Sequence, residues 1–567
     1  MRLFRTALAA IITILMFSLV QPSLPVSVAQ KVWTVNANGP ADYDTIQKAV
    51  NVASVGDTIL VMPGTYTSTE VNKKVDIVGQ PSGGNVFSVR LSSLGISKGA
   101  SGASVQFLYA PNVTVSTGVH DVRFDGVGGG YTLSNSFNIS INSGSGSITT
   151  TNVTRLSIER FSGQVQGTTL NHTSYADSSG GFTLGGDNLA MTGDSGQGTV
   201  TGNFVNVSNT VGQLTIIGHS INLKNSLLSL LKVTGGDNST FSTSKFTGPV
   251  SIGGKKLNFT ANEVNFGTLT IDGTSVNSTI SNNKFLNSTV SVQASGVVFD
   301  QNIVSNPFTN KSQTLPTPGS IYDVDFPSTA SLATITGNDI MGMEGVHFGS
   351  CVNVIEDNYI HWAGFRPFIN DTFLSNQTGV RTTGMILGDT AGSGCTGANG
   401  AVINTTKTAV NKITLNKIAG FYYGVSIAFD RSWFETNEIG ANHTNIKVTG
   451  ANNTLIRNNF LGNASNIDDG RDNKWFQSDG STGTGNYWQD WANNNANEIG
   501  GITRALALDG TGNNAVDKYP LARPVPLLEQ TVVPEFPVAS IPIAGLLVAI
   551  VVLASRLGKK SHSSAAQ

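Results

Sequence analysis

Ile280-Ser281-Asn282-Asn283-Lys284-Phe285 is the stretch that decides the fold. It sets one apolar residue three positions before an asparagine and another two positions after it. The apolar-x-x-Asn-x-apolar pattern recurs as Val200…Asn203…Val205, Phe259…Asn262…Val264, Phe299…Asn302…Val304 and Ile335…Asn338…Ile340. It continues as Ile355…Asn358…Ile360, Ile413…Asn416…Ile418, Phe434…Asn437…Ile439 and Leu455…Asn458…Phe460. Phe241…Ser244…Phe246 fits with serine in the central place, and a weaker copy carries Asn225. Consecutive copies step by about 20 residues, the length of one solenoid coil. Apolar residues on both sides of the Asn suit two short strands that point into a common core, with the Asn at their bend. Asparagine tolerates left-handed backbone better than other non-glycine residues. Stacked amides also hydrogen-bond along the axis as a ladder. The predicted fold is all-β, a right-handed parallel β-helix whose Asn column is structural.

Composition agrees with this. The chain has 567 residues, is 12% charged and has a net charge of −2. Gly, Asn, Ser, Thr and Val dominate, in short β-branched runs broken by Gly and Asn, with little helical period. A net charge near zero leaves no basic footprint for nucleic acid. About sixteen Asn-x-Ser/Thr sequons occur, among them Asn112, Asn238, Asn287 and Asn442, so a glycoprotein is expected. The two cysteines, Cys351 and Cys395, are free either to pair as a disulfide or to stay as thiols.

The ends read as targeting segments. Arg2 and Arg5 precede an apolar run, Ala7 to Val20, and Ser27-Val28-Ala29 is a small-x-small cleavage site, so 1–29 is expected to be a signal peptide. Residues 536–555 are apolar and uncharged, long enough for a transmembrane helix, and Arg556, Lys559 and Lys560 follow. The expected topology is a single-pass membrane protein at the cell surface, with a large extracellular domain, a linker at 526–535 and a cytoplasmic tail at 556–567.

Between these lies the solenoid, with an N-terminal cap at 30–75, repeats at 76–465 and a C-terminal cap at 466–525. In the first, Asp42 or Asp44 is positioned to cap a helix whose Ile46, Ala49, Val50 and Ala53 share one face. That helix would cover the exposed edge of the first coil. Gly56-Asp57-Thr58-Ile59 and Pro63-Gly64-Thr65-Tyr66 follow as turn, strand and turn. The segment resembles the opening of the pectin-lyase-like β-helix superfamily. At the other end come Asp469-Gly470-Arg471-Asp472-Asn473-Lys474-Trp475, then Gly485-Asn486-Tyr487-Trp488-Gln489-Asp490-Trp491, then Asp517-Lys518-Tyr519-Pro520-Leu521. This series resembles NosD-like β-helix proteins, a family named for a periplasmic copper-accessory protein, and domains grouped as carbohydrate-binding or sugar-hydrolase β-helices. Val533-Pro534-Glu535-Phe536-Pro537 resembles the tail of archaeal surface proteins. These resemblances imply fold strongly and chemistry weakly, because one scaffold hosts many functions.

Candidate sites come from breaks in the ladder. The steps from Asn302 to Asn338 and from Asn358 to Asn416 are too long, which predicts loop insertions near 305–320 and 362–400. Insertions in repeat proteins collect on one face, often the binding face. Much of the chain's His, Arg, Trp and carboxylate content gathers here. The leading expectation is a structural or glycan-binding element of the cell envelope that meets extracellular polysaccharide. Trp362, Phe365 and Phe368 would give flat apolar contact, and Arg381 and Asp389 polar contact; equally, the aromatics could simply pack the insertion down. The alternative is a polysaccharide lyase or glycoside hydrolase. Hydrolysis needs two carboxyls about 5 to 10 Å apart, for which Asp323, Asp325, Asp357 and Asp371 are candidates. A lyase needs a base, from His361, Arg366 or His347. A third reading is copper, with Met341, Met343, His347 and Cys351 as soft ligands along one strand face. Asp468, Asp469 and Asp472 offer oxygen ligands for Ca²⁺, or form a solvated turn.

Overall fold

The computed structural model describes residues 30–306, 322–342, 345–349, 353–362, 383–388, 411–480, 482–490, 506–507, 509–511 and 515–527. The chain divides into two compact units, 1–153 and 154–567. Each is a parallel β-solenoid.

In the first unit, Val32–Val35 pairs in parallel with Thr58–Val61, which pairs with Asp76–Gly79, which pairs with the start of Ser104–Val115. Gly64–Tyr66 stacks on Val89–Leu91, and Thr69–Val71 on Leu94–Ile96. A helix spans Ile46–Val52 and buries Ile46, Ala49 and Val50. Its N-cap is Thr45, whose hydroxyl accepts from the Lys48 amide, and not the expected Asp42 or Asp44. Asp42 instead accepts from the Thr34 amide and hydroxyl, both at 2.8 Å, and Asp44 pairs with Lys48 at 2.9 Å.

The second unit shows why the Asn pattern marks a coil. One coil runs through Val298–Asp300, Ile303–Ser305 and Val324–Phe326. These strands belong to three sheets, here called first, second and third. Each pairs in register with the next coil: Phe299↔Ile335, Val304↔Ile340 and Val324↔Val346. Alternate residues point inward, so Phe285, Phe299, Val304, Phe326, Ile335 and Ile340 stack as buried columns.

Asn302 sits at the bend between the first and second sheets. Its amide accepts the backbone N–H of Asn283 (3.0 Å), donates to the Ile280 carbonyl (2.9 Å) and donates to the Asn338 side chain (3.1 Å). The same chain of bonds runs through Asn262, Asn283, Asn338, Asn358, Asn416, Asn437, Asn458 and Asn486, all buried. A buried amide left without partners costs about 1–3 kcal/mol, so each rung depends on its neighbours. The backbone detail differs from expectation. The left-handed residue is the one before the ladder Asn: Ala261, Asn282, Gln301, Asp357, Leu415 and Thr436 have φ of 54, 56, 52, 56, 61 and 56°. The Asn itself turns inward, and its neighbour makes the corner.

Two repeat copies fall elsewhere. Asn203 is half-buried at the bend into the first sheet, where it precedes left-handed Phe204. Asn225 is itself a left-handed corner residue, and the ladder place beside it is Ser226. Earlier coils use Ser and Thr as rungs: the Thr210 amide donates to Ser226, and the Ser226 amide to Ser244.

The ladder ends on a carboxylate. Asp517 accepts the Asn486 amide at 2.7 Å and the Trp488 indole N–H at 2.9 Å. A second column ends alike: Asn453 leads to Asn473, which donates to Asp468 at 2.8 Å, and the Trp475 indole donates to Asp468 at 2.7 Å. Trp475, Trp488 and Phe460 pack together there, Phe460 stacked on Trp488 at 4.3 Å.

One insertion is divided. Thr383–Leu387, within the expected 362–400 loop, is a third-sheet strand paired with Val346–Phe348 and Tyr423–Ile427. Its residues alternate inward with Met385 and Leu387 buried, a strand pattern that the surrounding Gly and Asn conceal. The expected single-pass membrane topology is corrected: no helix among the described residues is long and apolar enough to cross a membrane. Residues 1–29 and 528–567, with the expected signal peptide, span and tail, lie outside the described residues.

Candidate functional site

The coils beside the insertions gather aromatic and histidine side chains on the outer surface of the second and third sheets. On the third sheet, Asp325 and His347 are register partners on adjacent coils. Asp325 Oδ1 holds His347 Nδ1 at 2.7 Å, and Tyr322 stacks on the imidazole at 4.3 Å and 17°. His347 is buried by this packing, with 5% of its surface exposed.

The second sheet repeats the arrangement. Asp339 Oδ1 lies 3.0 Å from His361 Nε2, and Tyr359 stacks on His361 at 4.3 Å and 13°. Here the groups are half-exposed. Tyr359 and His361 are two residues apart on one strand, so both point outward. Lys417, on the next coil, sits 5.7 Å from the Tyr359 ring and 3.2 Å from Glu438. Trp362 ends the same strand in register with Gly342, against Gly420. Farther along, His443 stacks on Tyr422 at 4.5 Å and meets Tyr423 edge-on. The described strip presents flat rings backed by fixed hydrogen-bonding groups, the chemistry suited to a polyhydroxylated ligand.

The other candidates disperse. Asp323 is buried, and its oxygens accept Asn306 Nδ2 at 2.6 Å and the Gly345 amide at 3.0 Å, so it braces the bend into the third sheet. Asp357 occupies a left-handed corner between the first and second sheets. Burial, reinforced by the Glu356 charge, raises its carboxyl above the ordinary range. The second sheet therefore lies between Asp357 and Asp325, and these two do not share a cleft. The copper set also fails to align: a bend separates Met341, on the second sheet, from His347, on the third. Even spacing implies one face only while a strand continues. Of the calcium candidates, Asp468 is committed to Gly470, Asn473 and Trp475, and Asp469 accepts from Thr511. No group of three metal-ligating side chains occurs among the described residues. Met343, Cys351, Phe365, Arg366, Phe368, Asp371, Arg381, Asp389 and Cys395 lie outside the described residues, as does any disulfide between the cysteines.

Tyr322, Tyr359, Tyr422 and His443 were not singled out from sequence. Tyr359-Ile360-His361 carries the signal, an outward pair around a buried Ile. Tyr322 carries none, because its partner is a coil away.

No protein-family model and no curated protein matches the chain. Among solved structures it is similar to a tailspike protein of E. coli bacteriophage HK620, with 10% identity over 60% of this chain and 74% of that one, at a TM-score of 0.24. It is similar to the PL6 family alginate lyase AlyGC, with 11% identity over 73% and 98%, at 0.24. It is also similar to the catalytic domain of a GH87 alpha-1,3-glucanase, with 11% identity over 78% and 68%, at 0.18. The assignment of a parallel solenoid rests on the strand registers themselves.

Proposed function

We propose that this protein is a glycan-binding β-solenoid that meets polysaccharide along the strip Tyr322, Tyr359, Trp362 and Tyr422. The observation that carries this reading is the repeated stack of a tyrosine on a histidine held by a carboxylate, on neighbouring coils of two adjoining sheets. Stacks spread over several successive coils suit an extended polymer better than a compact small molecule.

Cleavage is the second reading, favoured by one observation: the half-exposed His361–Asp339 pair is an imidazole oriented by a carboxylate, a form taken by general bases. The full chain incubated with acidic and neutral polysaccharides separates the two. Retention without new reducing ends or unsaturated uronate absorbance, lost in Trp362→Ala and Tyr359→Ala, supports binding. Turnover that vanishes in His361→Ala makes the protein an enzyme. Neither retention nor turnover on any polymer removes both readings.

A further inference from the structure

The polar column of the second unit holds one residue out of keeping with its neighbours. Ser178, Asp194, Thr210, Ser226 and Ser244 occupy equivalent bends, because the carbonyl of each from Ser178 to Ser226 accepts the amide that starts the following coil's strand. The side chains follow a rule. The serines accept an amide from the preceding coil, Ser178 from Phe161, Ser226 from Thr210 and Ser244 from Ser226. They and Thr210 also donate to the carbonyl two residues before: Ser178 to Ala176, Thr210 to Ser208, Ser226 to Lys224 and Ser244 to Ser242. Asp194 meets the first half by accepting the Ser178 amide at 3.1 Å. Its other oxygen, Oδ2, is buried without a partner, and the residue is 1% exposed.

A carboxylate cannot meet the second half of the rule, since it has no proton to give. The carbonyl in the matching place is that of Thr192, which accepts the Asp177 amide just as Ser208 accepts that of Gly193. We propose that Asp194 stands in the column as a neutral carboxylic acid whose hydroxyl donates to the Thr192 carbonyl, making this rung a proton-dependent latch on its coil. Ionisation would set a buried negative oxygen against a carbonyl oxygen.

The surroundings agree. Burial raises the Asp194 carboxyl to about 7, against the pull of the Ser178 and Thr192 amides. On the preceding coil the titratable groups near it are Asp177, whose charge opposes its ionisation, and Tyr175, whose own ionisation the Asp194 charge opposes. The following coil offers Ser208, Asn209, Thr210 and Val211, none titratable. The interior side is apolar, with Met191, Leu189 and Val200 buried.

The sign is fixed by linkage. The folded pKa lies above the unfolded one, so the folded state holds the extra proton and the latch weakens as pH rises. The effect begins near pH 4, grows about tenfold per pH unit and levels off above about 7. Hydrogen exchange on the full chain between pH 4 and 8 reads it. Protection factors for the Ser178 amide should fall by about a hundredfold or more in the wild type. They should stay level in Asp194→Asn, which restores a donor. Parallel pH profiles in the two proteins would overturn the proposal. Should the variant fail to fold, ¹³C-carboxyl NMR of the wild type decides. An aspartate titrating near 7, later than Asp517 at about 6, supports the latch. No aspartate titrating later than Asp517 overturns it.

Discussion

Two stretches of the second unit close their coils in different ways. From Gly163 to Gly212 the rungs recur every 16 residues where Ser178 meets Asp194 and Thr210 meets Ser226. From Asn262 to Asn458 uninterrupted coils take 19 to 21. The short coils keep polar rungs at that bend and, two residues further on, bring glycines of successive coils into contact. Gly163, Gly180, Gly196 and Gly212 form a column with φ of 146, 120, 143 and 134°, and a Cβ on any of the last three would strike the carbonyl of the glycine one coil before. The longer coils bridge the extra distance with an amide, which both accepts and donates. The short coils add close glycine contact to small polar rungs, while the longer coils rely on amide rungs. Among the described residues, the tyrosine–histidine stacks lie on the longer coils.

The comparison breaks most sharply at an amide rung. Asn358→Ala leaves the Asn338 amide and side-chain donors without their acceptor and the Ile335 and Glu356 carbonyls without their donor, while Asn416 Oδ1 keeps the Asn358 backbone N–H. The expected loss is about 3 kcal/mol, measured by denaturant unfolding, with Asn358→Asp intermediate. Gly196→Ala should cost about 2–3 kcal/mol, through both strain and collision with the Gly180 carbonyl. Gly462→Ala, with φ 74° but open space, should cost about 1 kcal/mol. Equal losses at the two glycines would mean that column contact contributes nothing.

A smaller effect separates the ladder's two carboxyls. Burial pushes Asp517 up to about 6 against its donors. Its folded pKa is raised, so the C-terminal end loses stability as pH rises from about 4 to 6, by about 1–2 kcal/mol. Asp517→Asn should flatten that interval in local unfolding and leave the Asp194 interval, which reaches to about 7, unchanged. At the small end, Lys417→Ala removes a partly exposed pair with Glu438 and should shift stability by less than about 1 kcal/mol. A larger change would mean that its contact with Tyr359 supports the strip.

The longer coils were legible because their rungs share one chemistry, Asn between apolar residues, and the parallel solenoid follows from it. The shorter coils hid the same column. Ser178, Asp194, Thr210 and Ser226 play one part with different side chains, and a Gly- and Ser-rich strand has little hydrophobic contrast to phase. Val200…Asn203…Val205 matched the pattern at the wrong bend, since apolar residues flank every bend of a solenoid. At the strip, His361, Trp362 and His347 stood out singly. Their partners Asp339 and Asp325 lie 22 residues away, and only the register of neighbouring coils brings them together. The insertions obscured that register, as did the strand Thr383–Leu387 within one of them.

Hydrogen exchange of the full chain with and without soluble polysaccharides tests the central claim most directly. The account predicts slowed exchange in Tyr322–Phe348, Tyr359–Trp362 and Lys417–Val448, with Gly163–Gly212 unchanged, and loss of the effect in Trp362→Ala. Protection confined to the glycine-column coils, or none with any polymer that the protein retains, would contradict it.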